Sequence, residues 1–477
     1  MENQVNYNRA KLWQIGCFSM NNVATNCANF MMAYYAYYTQ NVLGLAAVVV
    51  GMIATLTRVF DGITDPIVGF WIDRTDGRFG KFRPFMLVGN IIIGVCLLAL
   101  FRTPMTLSAA GRYVYTTVFY FLYIIGYTFQ CICTKGAQTI LTNDPKQRPI
   151  FTFFDGFGCQ IISAIIPFLI TTYLAKIYSV GEYAPNKGMV NPELWKSASL
   201  IIVLISACLT LLAIAGIWSK DRSENFKNRG SGERVKVSAY LDIAVHNRPL
   251  QMLIVSAATD KLGSMLMSGT LTYIFANILL NSSLQGSFSV MVLAPSIVCS
   301  FLGVVLARKV GLKKCFLTTT CISLALLTLM YILKPNPEMP FIFLGLYMMQ
   351  KCVTYVSMST LTPLIADCSD YETYRSGRYV PGMVATIFSF IDKLLSSLST
   401  LIVGFALTYA GVGAVKITPN EPVNETFNSV ILICFCIVPI LGHIATLIAM
   451  RYYDLTKEKM EEIQRVIGER KRVHGEK

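Results

Sequence analysis

The sequence predicts an all-α integral membrane protein whose twelve transmembrane helices form two six-helix bundles. Only 14% of its 477 residues are charged, whereas a soluble globular chain carries about 25%. The mean hydropathy is +0.53, and the apolar residues lie in long runs of the length that a helix needs to cross a bilayer. A polar, basic segment in the middle of the chain divides these runs into two groups of six.

Each apolar run is interpreted as one membrane span. The first six are 12–38, 45–71, 84–101, 112–138, 152–177 and 197–218, and the second six are 250–280, 286–307, 315–333, 340–366, 382–411 and 428–450. We therefore predict an N-terminal bundle over 1–218, a cytoplasmic linker over 219–249, a C-terminal bundle over 250–453 and a basic cytoplasmic tail over 454–477.

The positions of the basic residues predict the orientation in the membrane. If the N-terminus is cytoplasmic, the inside segments hold 29 lysines and arginines, and the outside loops hold 7 when Arg112 and Lys176, at the outer ends of their spans, are counted with them. Cytoplasmic loops of membrane proteins carry such an excess, so both termini are predicted to be cytoplasmic. The net charge of +14 is explained in this way, and no nucleic-acid partner is predicted.

An internal repeat supports two equivalent halves. Three residues in the basic turn after the second span of each half recur 234 positions later: Gly69, Arg74 and Gly77 match Gly303, Arg308 and Gly311. A duplicated six-helix unit explains this match, and transporters built from such repeats bind their substrate near the middle of the membrane.

The second span contains the strongest candidate site. Arg58, Asp61, Thr64 and Asp65 lie on one helical face. Ionisable groups are costly inside a bilayer and usually functional. Two carboxylates four residues apart supply oxygen ligands for a small cation such as Na⁺, or bind a proton. The alternative is an Arg58–Asp61 ion pair that only joins helices.

Polar or ionisable residues occur together in five further spans, along one helical face in three of them and as adjacent pairs in the other two. They are Asn22, Asn26 and Asn29; Thr128, Cys131 and Lys135; Asp260 and Lys261; Lys351, Tyr355, Met358 and Thr362; and Asp392 and Lys393. Interhelical hydrogen bonding explains any one of these faces. Taken together, they predict a water-filled central cavity.

Enzymatic activity is not predicted, and no cofactor is expected. The sequence contains no H-E-x-x-H or G-x-S-x-G motif, and of its three histidines only His443 lies in a predicted span. Most of the fourteen cysteines lie within apolar runs, where they are interpreted as packing residues.

The run RVFDGITDPIVGFWIDRTDGRFGKFRPF, residues 58–85, resembles the second helix and following loop of the glycoside–pentoside–hexuronide:cation symporters. The segments LTNDPKQR after span 4 and ADCSDYE before span 11 are similar to the same family. The resemblance covers both halves of the chain. It implies the major facilitator fold and a location in the bacterial inner membrane.

The resemblance also implies site residues. The family's cation site falls on Asp61, Asp65 and Thr128, with Thr64 in place of an asparagine. The family lysine near the cation and sugar sites matches Lys393.

The sugar-binding positions differ from the family pattern. They correspond here to Ala24 with Asn22 and Asn26 nearby, Cys131, Lys135, Gly156 beside Asp155, Met358 and Pro381. The identity of the solute therefore does not follow from the resemblance.

We predict a monomeric secondary transporter that moves a sugar, glycoside or hexuronide-like solute with Na⁺ or H⁺ across the lipid bilayer. Lys135 is expected to meet an anionic group of the solute or to form a structural ion pair. Asp73, Arg74, Arg78 and Lys81 are predicted to close the cytoplasmic side, unless this loop carries only topology-determining charge. The alternative functions are a carrier of a lipid-like, amphipathic substrate and a channel.

Overall fold

A computed structural model describes residues 9–75, 79–142, 147–222, 237–377 and 381–473. The regular secondary structure in these ranges is helical, which confirms the predicted all-α class. The chain forms two compact units. The first comprises Met1–Ser231, Phe275–Leu293 and Gly411–Pro422, and the second comprises Gly232–Ile274, Ala294–Ala410 and Val423–Lys477.

The helices follow the predicted apolar runs. Those of the first half are α1 Leu12–Met32, α2 Tyr35–Asn41, α3 Ala47–Arg74, α4 Arg83–Leu100, α5 Ala109–Leu141, α6 Arg148–Pro167, α7 Ala175–Ile177 and α8 Pro192–Ile217. Those of the second half are α9 Val237–His246, α10 Arg248–Tyr273, α11 Ser283–Val310, α12 Leu312–Leu333, α13 Pro340–Ser376, α14 Pro381–Tyr409, α15 Glu425–Leu432, α16 Val438–Arg451 and α17 Lys457–Val473.

Three π-helical segments adjoin these helices, at Phe168–Leu174, Ile274–Ile278 and Ile433–Ile437. Each continues a helix within a predicted span rather than ending it. In the described part of the chain, nine helical segments are long and apolar enough to cross a membrane. The chain is therefore a multi-pass membrane protein.

The first predicted span differs from the structure. A continuous helix over 12–38 was expected, but the helix is interrupted at Ala33 and Tyr34, between α1 and α2. The interruption lies beside an aromatic cluster, in which the ring centroids of Tyr34 and Tyr38 are 6.1 and 5.6 Å from that of Trp195. Burial of these large rings favours a local bend over an unbroken helix.

The predicted linker and tail each contain a helix. The linker segment 219–249 includes α9, and the tail segment 454–477 includes α17. Ile463 and Ile467 of α17 are buried in the apolar core of the second unit, together with Leu253 of α10. Burial of these side chains explains why the helix packs on the unit despite the polar composition of this segment.

Two segments from the second half of the chain belong to the first unit. The backbone N–H of Ile417 donates to the side-chain oxygen of Asn41 at 2.8 Å, and the amide of Gln40 donates to the carbonyl of Val412 at 2.7 Å. Lys187 and Glu421 form an ion pair at 2.8 Å. Residues 411–422 are thus held by polar contacts to the end of α2 and to the loop before α8.

Candidate functional site

The buried carboxylate of Asp61 is the centre of the candidate site. Asp61 lies in the middle of α3 and has no exposed surface. The hydroxyl of Thr128, on α5, donates a 2.8 Å hydrogen bond to its Oδ1. Phe60 and Phe121 pack edge to face across the same two helices, with ring centroids 4.9 Å apart. This packing holds the helix faces at the distance that the hydrogen bond requires.

Arg58 is the nearest described cation to this carboxylate. Its Nη1 lies 3.9 Å from Oδ2 of Asp61, one helical turn away, and its side chain is 30% exposed. The guanidinium carbon also lies 5.6 Å from the centroid of the Tyr127 ring. The separation from Asp61 exceeds that of a charge-assisted hydrogen bond. Arg58 therefore balances the carboxylate charge without occupying both of its oxygens.

Thr64 and Asp65 complete the polar face of α3. The hydroxyl of Thr64 is buried and donates to the backbone carbonyl of Asp61 at 3.1 Å. Thr64 and Thr128 thus each donate their single hydroxyl proton to an Asp61 oxygen and keep lone pairs that can ligate a cation. Asp65 is half-buried, one turn beyond Asp61. Four oxygen-bearing side chains accordingly lie on adjoining faces of α3 and α5.

The side chains on this face of α5 become more exposed toward the C-terminal end of the helix. Cys131 is half-buried beside Tyr127, whereas Lys135, one turn further, is exposed. Among the residues that the structure describes, Lys135 forms no ion pair, so the alternative of a structural pair with Asp61, Asp155 or Asp392 is not seen in the described residues. An exposed ammonium of this kind can pair with an anionic group.

Two of the three predicted polar residues of α1, Asn22 and Asn26, face α6, whereas Asn29 accepts a 3.1 Å hydrogen bond from the Tyr123 hydroxyl on α5. The side-chain amides of Asn22 and Asn26 lie 3.8 and 3.3 Å from Sγ of Cys159, and the Asn26 amide donates to the Asn22 carbonyl at 2.9 Å. Asp155 is half-buried on α6, beside Ser19. The structure therefore groups three of the predicted solute residues, Asn22, Asn26 and Asp155, along the contact between α1 and α6.

The remaining predicted residues belong to the second unit. Tyr355 is half-buried and Met358 is 58% exposed on α13. The ammonium of Lys351 lies 5.2 Å from the centroid of the Tyr347 ring on the same helix. On α14, Lys393 is half-buried next to Asp392. These side chains form a polar and aromatic surface on α13 and α14.

The predicted gating loop has a partner that was not predicted from the sequence. Asp221, just after α8, is fully buried. Its carboxylate accepts backbone N–H hydrogen bonds from Lys81 at 2.8 Å and from Phe82 and Arg83 at 3.0 Å each. Nη2 of Arg83 donates to the Asp221 carbonyl at 2.9 Å. An acidic residue within the basic segment SKDR was the available signal.

Gly80 is required where this loop approaches Asp221. Its φ is +89°, and a Cβ at this position would lie 2.4 Å from Oδ2 of Asp221. Of the other predicted gating residues, Arg78 lies outside the described residues, and for Asp73 and Arg74 only the helical backbone is described. In its described part, the predicted gating loop therefore contacts Asp221 through backbone N–H groups and Arg83.

Residues 17–457 match the family model described as "MFS/sugar transport protein". The chain belongs to this family. Its fold is therefore that of the major facilitator transporters, and it is a membrane transporter rather than an enzyme, as the sequence predicted.

Several relatives align over nearly the whole chain of this MFS transporter. The inner membrane symporter YicJ of Escherichia coli is 25% identical over 455 residues, which cover 93% of this chain and 91% of that protein. The glucuronide carrier protein homolog of E. coli is 25% identical, with coverages of 96% and 95%. The isoprimeverose transporter of Lactiplantibacillus pentosus is 22% identical, with coverages of 92% and 88%.

Solved structures agree with the family fold. The crystal structure of the nucleoside transporter NupG aligns with a TM-score of 0.60 at 10% identity, covering 93% of this chain and 100% of that one. A bacterial homolog of the human lysosomal transporter Spinster, in an inward-facing conformation, aligns with a TM-score of 0.58 at 14% identity, with coverages of 93% and 95%. At these identities the likeness extends to the fold alone.

Proposed function

We propose that this transporter is a cation-coupled symporter of a small, sugar-like solute, and that Asp61, Thr64, Asp65 and Thr128 bind the cation. The buried Asp61 carboxylate, held by Thr128 across two packed helices, carries this proposal. Burial of a carboxylate within a membrane span is costly, so such groups are usually retained for function.

The chemistry of this site suits Na⁺ or H⁺. Carboxylate and hydroxyl oxygens are the ligands that hard cations prefer, and two neighbouring carboxylates can instead share one proton. Arg58, 3.9 Å from Asp61, limits the uncompensated negative charge of the empty site. Binding of the cation would weaken the attraction between Arg58 and Asp61 and so change the charge that the solute meets.

Two observations support an anionic sugar derivative as the solute. The relatives named above include a glucuronide carrier homolog and an isoprimeverose transporter, which favours sugar chemistry. Lys135 is exposed and forms no ion pair within the described residues, which favours an acidic group such as that of a hexuronide. We assign solute binding or coupling to Arg58, Asn22, Asn26, Cys131, Lys135, Asp155, Tyr355, Met358 and Lys393.

Coupling would follow from alternating access, in which two halves of the transporter rock about a central site. The binding free energies of cation and solute are linked. If the cation raises the affinity for the solute by some factor, the solute must raise the affinity for the cation by the same factor. The loop that contains Asp73, Arg74, Arg78 and Lys81 would close the cytoplasmic side, with Asp221 as its anchor.

A carrier of an amphipathic solute is the second candidate. Met358 is 58% exposed on the polar face of α13, and a methionine adapts to apolar ligands of varied shape. The apolar part of a lipid-like molecule would use this surface.

Uptake by purified protein in proteoliposomes tests both candidates. A labelled glucuronide and a labelled lysophospholipid are offered under an inward Na⁺ gradient, an inward H⁺ gradient or no gradient, and Asp61→Asn serves as the uncoupled control. The proposal expects accumulation of the glucuronide driven by one of the two gradients, and counterflow without a gradient. Accumulation of only the lysophospholipid would support the second candidate, and uptake without counterflow would indicate a channel.

A further inference from the structure

Two ionisable side chains meet inside the second unit, away from the proposed cation site. Nδ1 of His443, on α16, lies 2.9 Å from Oδ1 of Asp260, on α10. The hydroxyl of Thr446 donates to the same oxygen at 2.9 Å. The side chains of His443 and Asp260 are 14% and 21% exposed. The proposed symport mechanism assigns no role to this pair.

The distance between the two groups is set by close packing of their helices. A Cβ on Gly263 of α10 would lie 3.1 Å from Pro439, and one on Gly442 of α16 would lie 3.0 Å from the carbonyl of Thr259. Small residues at such contacts allow helix backbones to approach closely. The π-helical segment Ile433–Ile437 directly precedes α16, and segments of this kind often adjoin functional sites.

Asp260 lies within the predicted span 250–280. It is the thirteenth residue of α10, so a rise of 1.5 Å per residue places it about 18 Å from the start of the helix. The hydrocarbon core of a bilayer is about 30 Å thick. A purely structural link between α10 and α16 would not require ionisable groups, because the single hydroxyl proton of Thr446 can be donated instead to the carbonyl of Ser256, at 3.2 Å.

Other charged groups on the surrounding helices have their own neighbours or lie near helix ends. Lys261 and Lys393 act electrostatically on Asp392, and Lys351 lies over the Tyr347 ring. On α9, Asp242 contacts His246 and Arg375. On α12, Lys313 donates to the carbonyl of Tyr453, and Lys314 lies one residue further toward the helix interior. Within the described residues, the cationic form of His443 is therefore the group placed to balance Asp260 directly.

We propose that Asp260 and His443 form a proton-binding site in the second unit. Nδ1 lies within ion-pair distance of the carboxylate without a hydrogen bond to it in the described residues, so the neutral imidazole accepts the proton at whichever ring nitrogen lacks one. Protonation creates an imidazolium–carboxylate pair of zero net charge, and deprotonation leaves the carboxylate held by Thr446. Histidine is the side chain whose ordinary titration lies between pH 5 and 8. The site would bind a proton whichever ion occupies the region of Asp61.

The chain allows a direct test, because it contains only three histidines, at positions 246, 443 and 474. The double variant His246→Gln/His474→Gln, in lipid nanodiscs with ¹³C-labelled histidine, shows one Cε1 resonance, from His443. We expect this resonance to move with pH between 5 and 8.5 along a one-proton curve. A resonance that stays fixed over this range would overturn the proposal.

Two acid variants distinguish a proton site formed by both Asp260 and His443 from a histidine that binds a proton independently of Asp260. In the same background, Asp260→Asn is expected to displace the His443 curve measurably, because it removes the carboxylate charge that lies 2.9 Å from the ring. Asp242→Asn, which removes an acid of α9 that contacts Arg375, should leave the curve unchanged. Superimposable curves for Asp260→Asn and its parent would overturn the assignment to the pair. No solute, cation or transport is needed, so this outcome is independent of whether symport is confirmed.

Discussion

The hydroxyl of Thr128 donates a 2.8 Å hydrogen bond to the buried carboxylate of Asp61. This contact joins α5 to α3 and orients one carboxylate oxygen toward α5, while Arg58 lies near the other. A hydrogen bond to a charged group contributes about 1.5–3 kcal/mol when its partner is removed. The proposed cation site therefore depends on a hydroxyl from a second helix as well as on the two acids of α3.

Replacement of Asp61 or Asp65 by asparagine is expected to abolish cation-driven accumulation, because an amide carries no charge to compensate a bound cation. Gradient-driven uptake of the labelled solute in proteoliposomes measures this loss. Asp242→Asn, on the surface of α9, is the matched control and should accumulate solute as the wild type does. Unchanged accumulation by both Asp61→Asn and Asp65→Asn would remove the cation site from α3.

Thr128→Val should weaken cation binding by about tenfold or more, since it removes a hydrogen bond to a charged group. Thr128→Ser keeps the hydroxyl and should retain most of the affinity. The cation concentration that gives half-maximal uptake is the measurement. Equal affinities for the valine and serine variants would show that the methyl packing, not the hydroxyl, matters at this position.

Thr64→Val provides a comparison on α3 within the same experiment. The Thr64 hydroxyl bonds to a backbone carbonyl rather than to the carboxylate, so its loss should cost less cation affinity than Thr128→Val. A larger effect at Thr64 would place that hydroxyl in direct contact with the cation.

Lys135→Gln is expected to weaken binding of an anionic sugar by about tenfold or more, because it removes a charge-assisted contact. A neutral analogue of the same sugar should bind both proteins equally. Isothermal titration calorimetry measures the two affinities, and Lys334→Gln, in the loop before α13, is the control lysine variant. Equal weakening of both sugars, or a large fall in melting temperature, would assign Lys135 to the scaffold.

Gly80→Ala should destabilise the first unit more than Gly311→Ala destabilises the second. Both glycines have a positive φ, +89° and +95°, which costs an L-residue about 1–2 kcal/mol. Only at Gly80 would the added Cβ also clash with a neighbouring atom, Oδ2 of Asp221. Melting temperatures in detergent compare the two variants, and similar losses would mean that the contact with Asp221 relaxes readily.

The predicted orientation is tested by labelling with a membrane-impermeant reagent in intact cells. Tags at residue 228 and at the C-terminus should be inaccessible, because both lie in basic segments that are predicted to be cytoplasmic. A tag at Asn186, in the loop before α8, should react. Labelling at residue 228 from outside would overturn the predicted topology.

Local patterns in the sequence were sufficient for the membrane class, the helix positions and the polar face of α3. Hydropathy and charge distribution are properties of neighbouring residues, and a helix of 3.6 residues per turn places Asp61 and Asp65 on one face without any tertiary contact. The repeat of Gly69 at Gly303 indicated duplication for the same reason, since it requires only a fixed spacing.

Tertiary packing alone decided the contacts that give these faces their chemistry. Asp61 and Thr128 are 67 residues apart, and Asp260 and His443 are 183 residues apart. In the sequence, Asp221 is one acidic residue in a basic loop. In the folded chain, its carboxylate accepts hydrogen bonds from the backbone N–H groups that follow Gly80. Helical periodicity determines which way a side chain points from its own axis, but the partner that it meets depends on how closely and at what angle two helices pack.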